Sequence, residues 1–159
     1  MPVIRRGRPA DLDTLLVLIR EFNEVDGHDH DDARVARALG PLLRDDEHGQ
    51  VWLIDAPGVP GNDAAGGAVD DALPVGYAVL CWGYSLESGG REAVLDEIFV
   101  RDRGRGLGSV ALPELLDACR AAGVLRVFLE TEGPNERARR FYRRHGFQDE
   151  TSIWMTRDL

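Results

Sequence analysis

Apolar positions follow two rhythms along the chain, and the changes between them mark its elements. From Asp11, the residues Leu12, Leu15, Leu16, Ile19 and Phe22 recur at helical spacing and predict an amphipathic helix. The polar stretch from Asp26 to Asp32 interrupts it, and a weaker helical pattern from about Ala33 to Leu43 is broken at Gly40-Pro41. Val3 to Arg6 reads as a short first strand and Val51 to Asp55 as a buried one. Val75 to Trp82 and Ala93 to Val100 are the clearest strands, and Ser85 to Gly90 between them supplies the turn of a hairpin. A glycine-rich turn, a helix to about Ala122, a strand from Arg126 to Thr131 and a helix from Asn135 to His145 follow. Gly146 stops that last helix. Ser152 to Thr156 is predicted to close the chain as a final strand. This order is that of an α/β domain with a mixed sheet.

The stretch Ala56 to Pro74 holds four glycines, three prolines and three aspartates and little that drives packing, so it is predicted to be a flexible loop between strands. With 159 residues, a single domain over 1–159 accounts for the whole length. The opening residues lack the apolar core of a secretory signal. The longest apolar runs, Leu15 to Ile19 and Tyr77 to Trp82, fall far short of the roughly 18 residues a bilayer demands, so a cytoplasmic protein without a membrane contact is expected.

Composition removes several chemistries. The net charge is −9, and all 19 basic residues are arginines. Without lysine there is neither a Schiff-base nucleophile nor a Walker A phosphate loop. An acidic chain also repels nucleic acid, so no nucleic-acid partner is expected. Cys81 and Cys119 lie far apart in apolar surroundings and form no zinc spacing. The cluster His28-Asp-His-Asp-Asp32 has HxH spacing without a third partner, so it reads as a solvated loop, and no metal is expected.

The segment from Val100 to Gly108 carries the chemistry. Its core, Arg103-x-x-Gly106-x-Gly108, lies between a strand and a helix. Free N–H groups converge at such a turn, the helix dipole adds partial positive charge, and glycines let an anion approach the backbone. Arg101, Arg103 and Arg105 add fixed charge. A dinucleotide fingerprint fails here, because counting from Gly104 the third glycine position holds Ser109.

Three segments together resemble the GNAT superfamily of acyl-CoA-dependent N-acetyltransferases. They are the strand Leu95-Asp-Glu-Ile-Phe-Val100, the turn Arg103-x-x-Gly106-x-Gly108, and Asn135-Glu-Arg-Ala-Arg-Arg-Phe-Tyr-Arg-Arg-His-Gly-Phe147. Gly76-Tyr-Ala-Val-Leu with Tyr84-Ser-Leu-Glu is most similar to the diamine and polyamine branch. Two features depart from the pattern. Val100 to Arg103 is shorter than the Val-x-Pro-x-x-Arg form common there, and Pro113 falls inside the following helix, where it is expected to kink it.

The resemblance implies a single N-acetyltransferase domain over 1–159, a mostly antiparallel sheet flanked by helices, with a strand splay at the acyl-CoA site. It places the pyrophosphate of acetyl-CoA on Gly104, Arg105, Gly106, Leu107, Gly108 and Ser109 beside Arg103. It places the pantetheine arm along the backbone of Ile98, Phe99 and Val100, and brings Asn135 and Ala138 to the cofactor. Asn135 is equally natural as a helix N-cap after Pro134. Tyr142 would protonate the leaving thiolate, although its spacing with Ala138 and Phe141 also suits core packing. The base position falls at Asp96 with Glu97 beside it, and Glu92 is a more distant candidate. In a regular strand Asp96 and Glu97 point to opposite faces.

An ammonium must lose a proton before it attacks a thioester, so a carboxylate base is required. Residues 1–97 carry 8 arginines and 19 acids, whereas residues 98–159 carry 11 arginines and 9 acids. The second segment suits the phosphates of CoA, and the first suits a cationic acceptor. The expected reaction is acetyl transfer to a primary amine by direct attack, first to a small polyamine-like molecule and second to a protein N-terminus or lysine. A non-catalytic acyl-CoA-binding module is the alternative from another class. Homodimerisation is common in the superfamily and is expected on that ground.

Overall fold

The computed structural model describes residues 2–56, 74–101 and 104–159. Most of the loop expected over 56–74 therefore lies outside the described residues, as does Arg103. Strands β1 (Ile4–Arg6), β2 (Gly49–Asp55), β3 (Pro74–Ser85), β4 (Gly90–Val100) and β5 (Arg126–Phe128) form one sheet in sequence order. The first three pairings are antiparallel and β4 with β5 is parallel, giving the mixed, mostly antiparallel sheet that the sequence predicts.

The alternation of β2 and β3 sends side chains to two cores, one on each face of the sheet. Leu53, Tyr77, Val79 and Phe99 meet Leu15, Leu18 and Ile19 of α1 (Leu12–Asp26) and Leu39 and Leu43 of α2 (Asp32–Arg44). Ile54, Ala78, Leu80, Ala93 and Leu95 meet Ala111, Leu112, Leu115 and Cys119 of α3 (Leu107–Ala121). Phe141 and Tyr142 of α4 (Glu136–Arg144) pack against this second core. The Glu114 carboxylate on α3 also accepts the N–H groups of Val3 and Ile4, which fixes β1 at its edge.

Four sequence expectations are corrected. Helix α2 continues through Gly40-Pro41. A proline there removes a single N–H from the ladder, whereas ending the helix would release Leu43 from the core. The hairpin strands run further than their apolar runs and close on a turn over residues 86–89. Strand β5 stops at Phe128 rather than Thr131, since only three of its residues pair with β4. Ser152 to Thr156 forms no strand: Ile153, Trp154 and Met155 are 89%, 68% and 91% exposed, and no described strand edge pairs with them. Alternation alone does not make a strand without a partner ladder.

Pro113 lies within α3 without ending it, and Leu112, Leu115 and Cys119 stay buried around it. None of the described helices is long and apolar enough to cross a membrane.

Candidate active site

The pairing of β4 defines the site. On one side it is bonded to β3 over its whole length, but on the other β5 pairs only with Glu92, Ala93 and Val94. Beyond Val94 the two parallel strands part, so among the described residues the outer edge of Leu95 to Val100 has no strand beside it. Ile98, Phe99 and Val100 fall within this open stretch.

A bulge interrupts β4 at the carboxylates. Val79 lies opposite Glu97 and Leu80 opposite Leu95, so Asp96 has no partner. The inserted residue reverses the phase of the strand. Ala93 and Leu95 face the α3 core, as do Ile98 and Val100, while Phe99 faces α1 and α2. Glu97 lies opposite Val79 and reaches Tyr77, both on the α1 side. The expectation that Asp96 and Glu97 point to opposite faces therefore fails. Both carboxylates act on the Cys81 thiol, also on the α1 side, and with burial they push its pKa up.

Glu97 is half-buried. Burial pushes its pKa up, the hydrogen bond from Tyr77 opposes this, and Asp96 and Asp26 add to the rise while His28 counters it. The Tyr77 hydroxyl donates to Glu97 Oε2 at 2.8 Å. Asp96 is more exposed, and partial burial followed by the charge of Glu130 raises its pKa as well. Burial thus pushes both carboxylates up beside the open strand edge, the direction that makes a carboxylate a stronger proton acceptor. Glu92 is instead held by the Ser88 hydroxyl on the hairpin turn, at 2.5 Å, away from the bulge.

Past Val100 the chain turns into α3. Gly104 and Gly106 have φ of 135° and 77°, conformations that a side chain disfavours, and Gly106 stands at the N-cap. Leu107, Gly108 and Ser109 form the first helical turn, with Arg105 alongside. Gly108 faces the Phe141 ring, where a methyl group would come within 3.5 Å, so α3 and α4 meet closely here. This arrangement fits a diphosphate: backbone donors at a helix start, glycines that admit a bulky anion, and an arginine next to them.

Arg101 anchors the start of the turn. Its guanidinium donates to both oxygens of Glu21 on α1, each at 2.8 Å, and its N–H donates to the Val75 carbonyl. A cleft of about 630 Å³ opens beside this pair, lined by Glu21, Glu24, Val25, Phe99, Arg101, Gly104 and Arg105.

On α4, the Asn135 side chain accepts the Ala138 N–H at 3.1 Å, so it is an N-cap. Tyr142 is half-buried between Phe141 and Phe147, with ring centroids at 5.1 and 5.6 Å, and burial pushes its phenol up. Its hydroxyl makes no hydrogen bond among the described residues. His30 uses both ring nitrogens locally, at 2.8 Å to Asn23 and 2.6 Å to Asp32.

Sequence reasoning missed Tyr77 and the bulge. Tyr77 stands in an apolar run and reads as core; its partner is remote in sequence. The bulge did leave a signal, because Ala93 and Leu95 share one phase while Ile98 and Val100 share the other.

Comparison with known proteins agrees with this geometry. The family model described as the acetyltransferase (GNAT) family matches residues 17–147. An integron cassette protein from the mobile metagenome of Cole Harbour Salt Marsh is 30% identical, with 99% of this chain and 90% of that one covered and a TM-score of 0.79. A protein from Arthrobacter sp. FB24, assigned to the acetyltransferases, is 29% identical over 100% of this chain and 97% of its own, at a TM-score of 0.78. A protein of the same assignment from Clostridium acetobutylicum, solved with acetyl-CoA, shares the fold at 15% identity and a TM-score of 0.74, with 98% and 95% covered. No curated protein matches the chain. The open strand edge, the glycine turn at a helix start and the match over most of the chain lead to one conclusion: the protein belongs to the GNAT family and is an acetyl-CoA-dependent acetyltransferase.

Proposed function

We propose that the acceptor is a small cationic primary amine of the polyamine type and that Glu97 is its proton acceptor. The observation that carries this reading is the acidic face beneath α1. There Glu97 lies within electrostatic reach of both Asp96 and Asp26, on the α1 side of the sheet that it shares with Phe99. Such a face favours a cation over a neutral or anionic acceptor. Glu97 is preferred to Asp96 because it is the more buried and because one of its oxygens is fixed by Tyr77.

Acetyl-CoA supplies the activated acyl group. In this reading the residues of the glycine turn, Gly104 to Ser109 with Arg103 and Arg105, hold its diphosphate, and the backbone of Ile98 to Val100 holds its arm. Asn135 and Ala138 border it from α4. Glu97 takes one proton from the acceptor ammonium, which frees a lone pair to form the C–N bond. Tyr142 gives its proton to the sulfur as the C–S bond breaks. The phenolate recovers the second proton shed by the nitrogen, and Glu97 returns its own to solvent. A raised phenol pKa keeps Tyr142 protonated and ready to donate throughout the neutral range.

The test is thiol release from acetyl-CoA across diamines, polyamines, aminoglycosides and lysine peptides. Saturable turnover with the small polyamines is expected, and turnover confined to lysine peptides overturns the acceptor assignment. With the best acceptor, Tyr142→Phe is expected to lower kcat by about 10²-fold and leave acetyl-CoA affinity in place. Glu97→Gln is expected to slow the reaction at pH 7 and to approach wild type at high pH, where free amine is plentiful. An unchanged rate at pH 7 for Glu97→Gln removes that residue from the mechanism.

A further inference from the structure

Tyr77 is fully buried, with a relative exposure of 0%. Its ring packs edge-on against Phe22 at 6.4 Å and tilted against Phe99 at 6.2 Å, a setting that phenylalanine would fill equally well. A buried phenol hydroxyl is costly unless it is paired. Its partner is the Glu97 carboxylate, 20 residues away on the neighbouring strand. That carboxylate faces the α1 side only because the bulge at Asp96 reverses the phase of β4.

We propose that Tyr77 is the positioning residue of the amine-deprotonating carboxylate: its hydroxyl pins Oε2 of Glu97 and leaves Oε1 for the incoming ammonium. The proposal rests on the reading of Glu97 as the base. Oε1 accepts no hydrogen bond among the described residues, so the two oxygens are already differentiated. The pinning also sets the protonation state. A hydroxyl donates more strongly to a carboxylate than to a neutral acid, which offsets part of the rise that burial imposes. Burial and the negative charge of Glu97 push the Tyr77 phenol well above its ordinary range, so it remains a donor at every working pH.

The other groups acting on Glu97 come from several elements. They are Asp96 on β4, Asp26 at the end of α1 and His28 in the following loop, and Glu97 in turn adds to the rise that burial imposes on the Cys81 thiol on β3. Each acts through space. Tyr77 alone among the described residues hydrogen-bonds the carboxylate, so its removal changes geometry as well as charge balance.

The experiment is a carboxyl ¹³C titration of glutamate-labelled protein, with the Glu97 signal assigned by its loss in Glu97→Gln. In Tyr77→Phe the Glu97 midpoint is expected to rise by about one pH unit, from the difference between a hydrogen bond to a charged and to a neutral acceptor. The acid limb of kcat/KM for the best amine of the panel is expected to move upward with it. A Glu97 midpoint that stays put in folded Tyr77→Phe overturns the proposal. Should that variant fail to fold, the ring ¹³Cζ shift of Tyr77 in the wild type must track the Glu97 titration, and a flat shift overturns the proposal too. If the midpoint moves but Glu97→Gln keeps full activity at pH 7, Tyr77 does pin the carboxylate and the base assignment is what fails.

Discussion

Gly76 allows β3 and β4 to approach each other beside the open edge of the site. It lies opposite Val100, and a Cβ built on it would sit 2.2 Å from the Phe99 carbonyl oxygen and 3.1 Å from the Val100 Cα. Both obstacles are backbone, so no side chain can swing away. Gly76→Ala must part the strands by about 1 Å to restore van der Waals contact, which stretches the adjoining ladder bonds toward their limit. Overpacking of this kind costs about 1–3 kcal/mol, and a weakened ladder bond adds about 1 kcal/mol. At roughly 2–4 °C per kcal/mol for a chain of this size, Tm should fall by about 4–16 °C. Gly83 on the same strand has nothing within 4 Å of the point where a methyl group would stand, so Gly83→Ala is the matched control and should be neutral or slightly stabilising. Because the displaced backbone is that of Phe99 and Val100, KM for acetyl-CoA should rise in Gly76→Ala more than kcat falls. Thermal unfolding and initial rates on the pair of variants decide it. Equal Tm values for Gly76→Ala and Gly83→Ala would refute the close-approach reasoning.

Two further outcomes follow from local geometry. Asn135→Ala should lose about 1 kcal/mol in urea unfolding through the missing cap, while Asn135→Asp should keep the cap and its stability; if Asn135 also meets the cofactor, the aspartate variant alone shows a raised KM for acetyl-CoA at normal stability. Burial would raise the pKa of Asp11, but hydrogen bonds from the Arg5 side chain and the Arg8 N–H override it and hold it below its ordinary 3.8. The pair therefore stabilises the protein above that pH and loses its contribution as pH falls through the lowered value. Arg5→Ala should accordingly be less stable by up to about 1 kcal/mol at pH 7, with the gap from wild type closing as the pH falls below 3.8 in urea titrations.

Much of this architecture was legible in the sequence because it is local. The stripe from Leu12 to Phe22 contains its own period, the Val75 to Trp82 run and its turn contain their own hairpin, and the glycine turn before Leu107 brings consecutive backbone groups to a helix start. The rest depends on partners distant in sequence. Ser152 to Thr156 alternates correctly but lacks a ladder to join, and Arg126 to Thr131 is cut short where β4 and β5 diverge. Gly40-Pro41 looks like a helix end until the burial of Leu43 is weighed against one missing hydrogen bond. Tyr77 is indistinguishable from core in a one-dimensional pattern, since its hydroxyl gains meaning only from a carboxylate that a bulge turns toward it.

The extra residue at Asp96 also guards the hairpin against misfolding. Sliding β4 by one step along β3 would turn Glu97 into the packed side under Leu112 and Leu115 and expel Ile98 and Val100 into the acidic face, so neighbouring alignments are heavily penalised. Deleting Asp96 would instead make Leu95 and Glu97 successive partners of Leu80 and Val79, a regular ladder that keeps every native facing, so it is closing the bulge with Asp96 still present that creates the conflict. With Glu97 as the proposed base, folding fidelity and acid–base chemistry constrain the same few positions, and substitutions there should rarely affect one without the other.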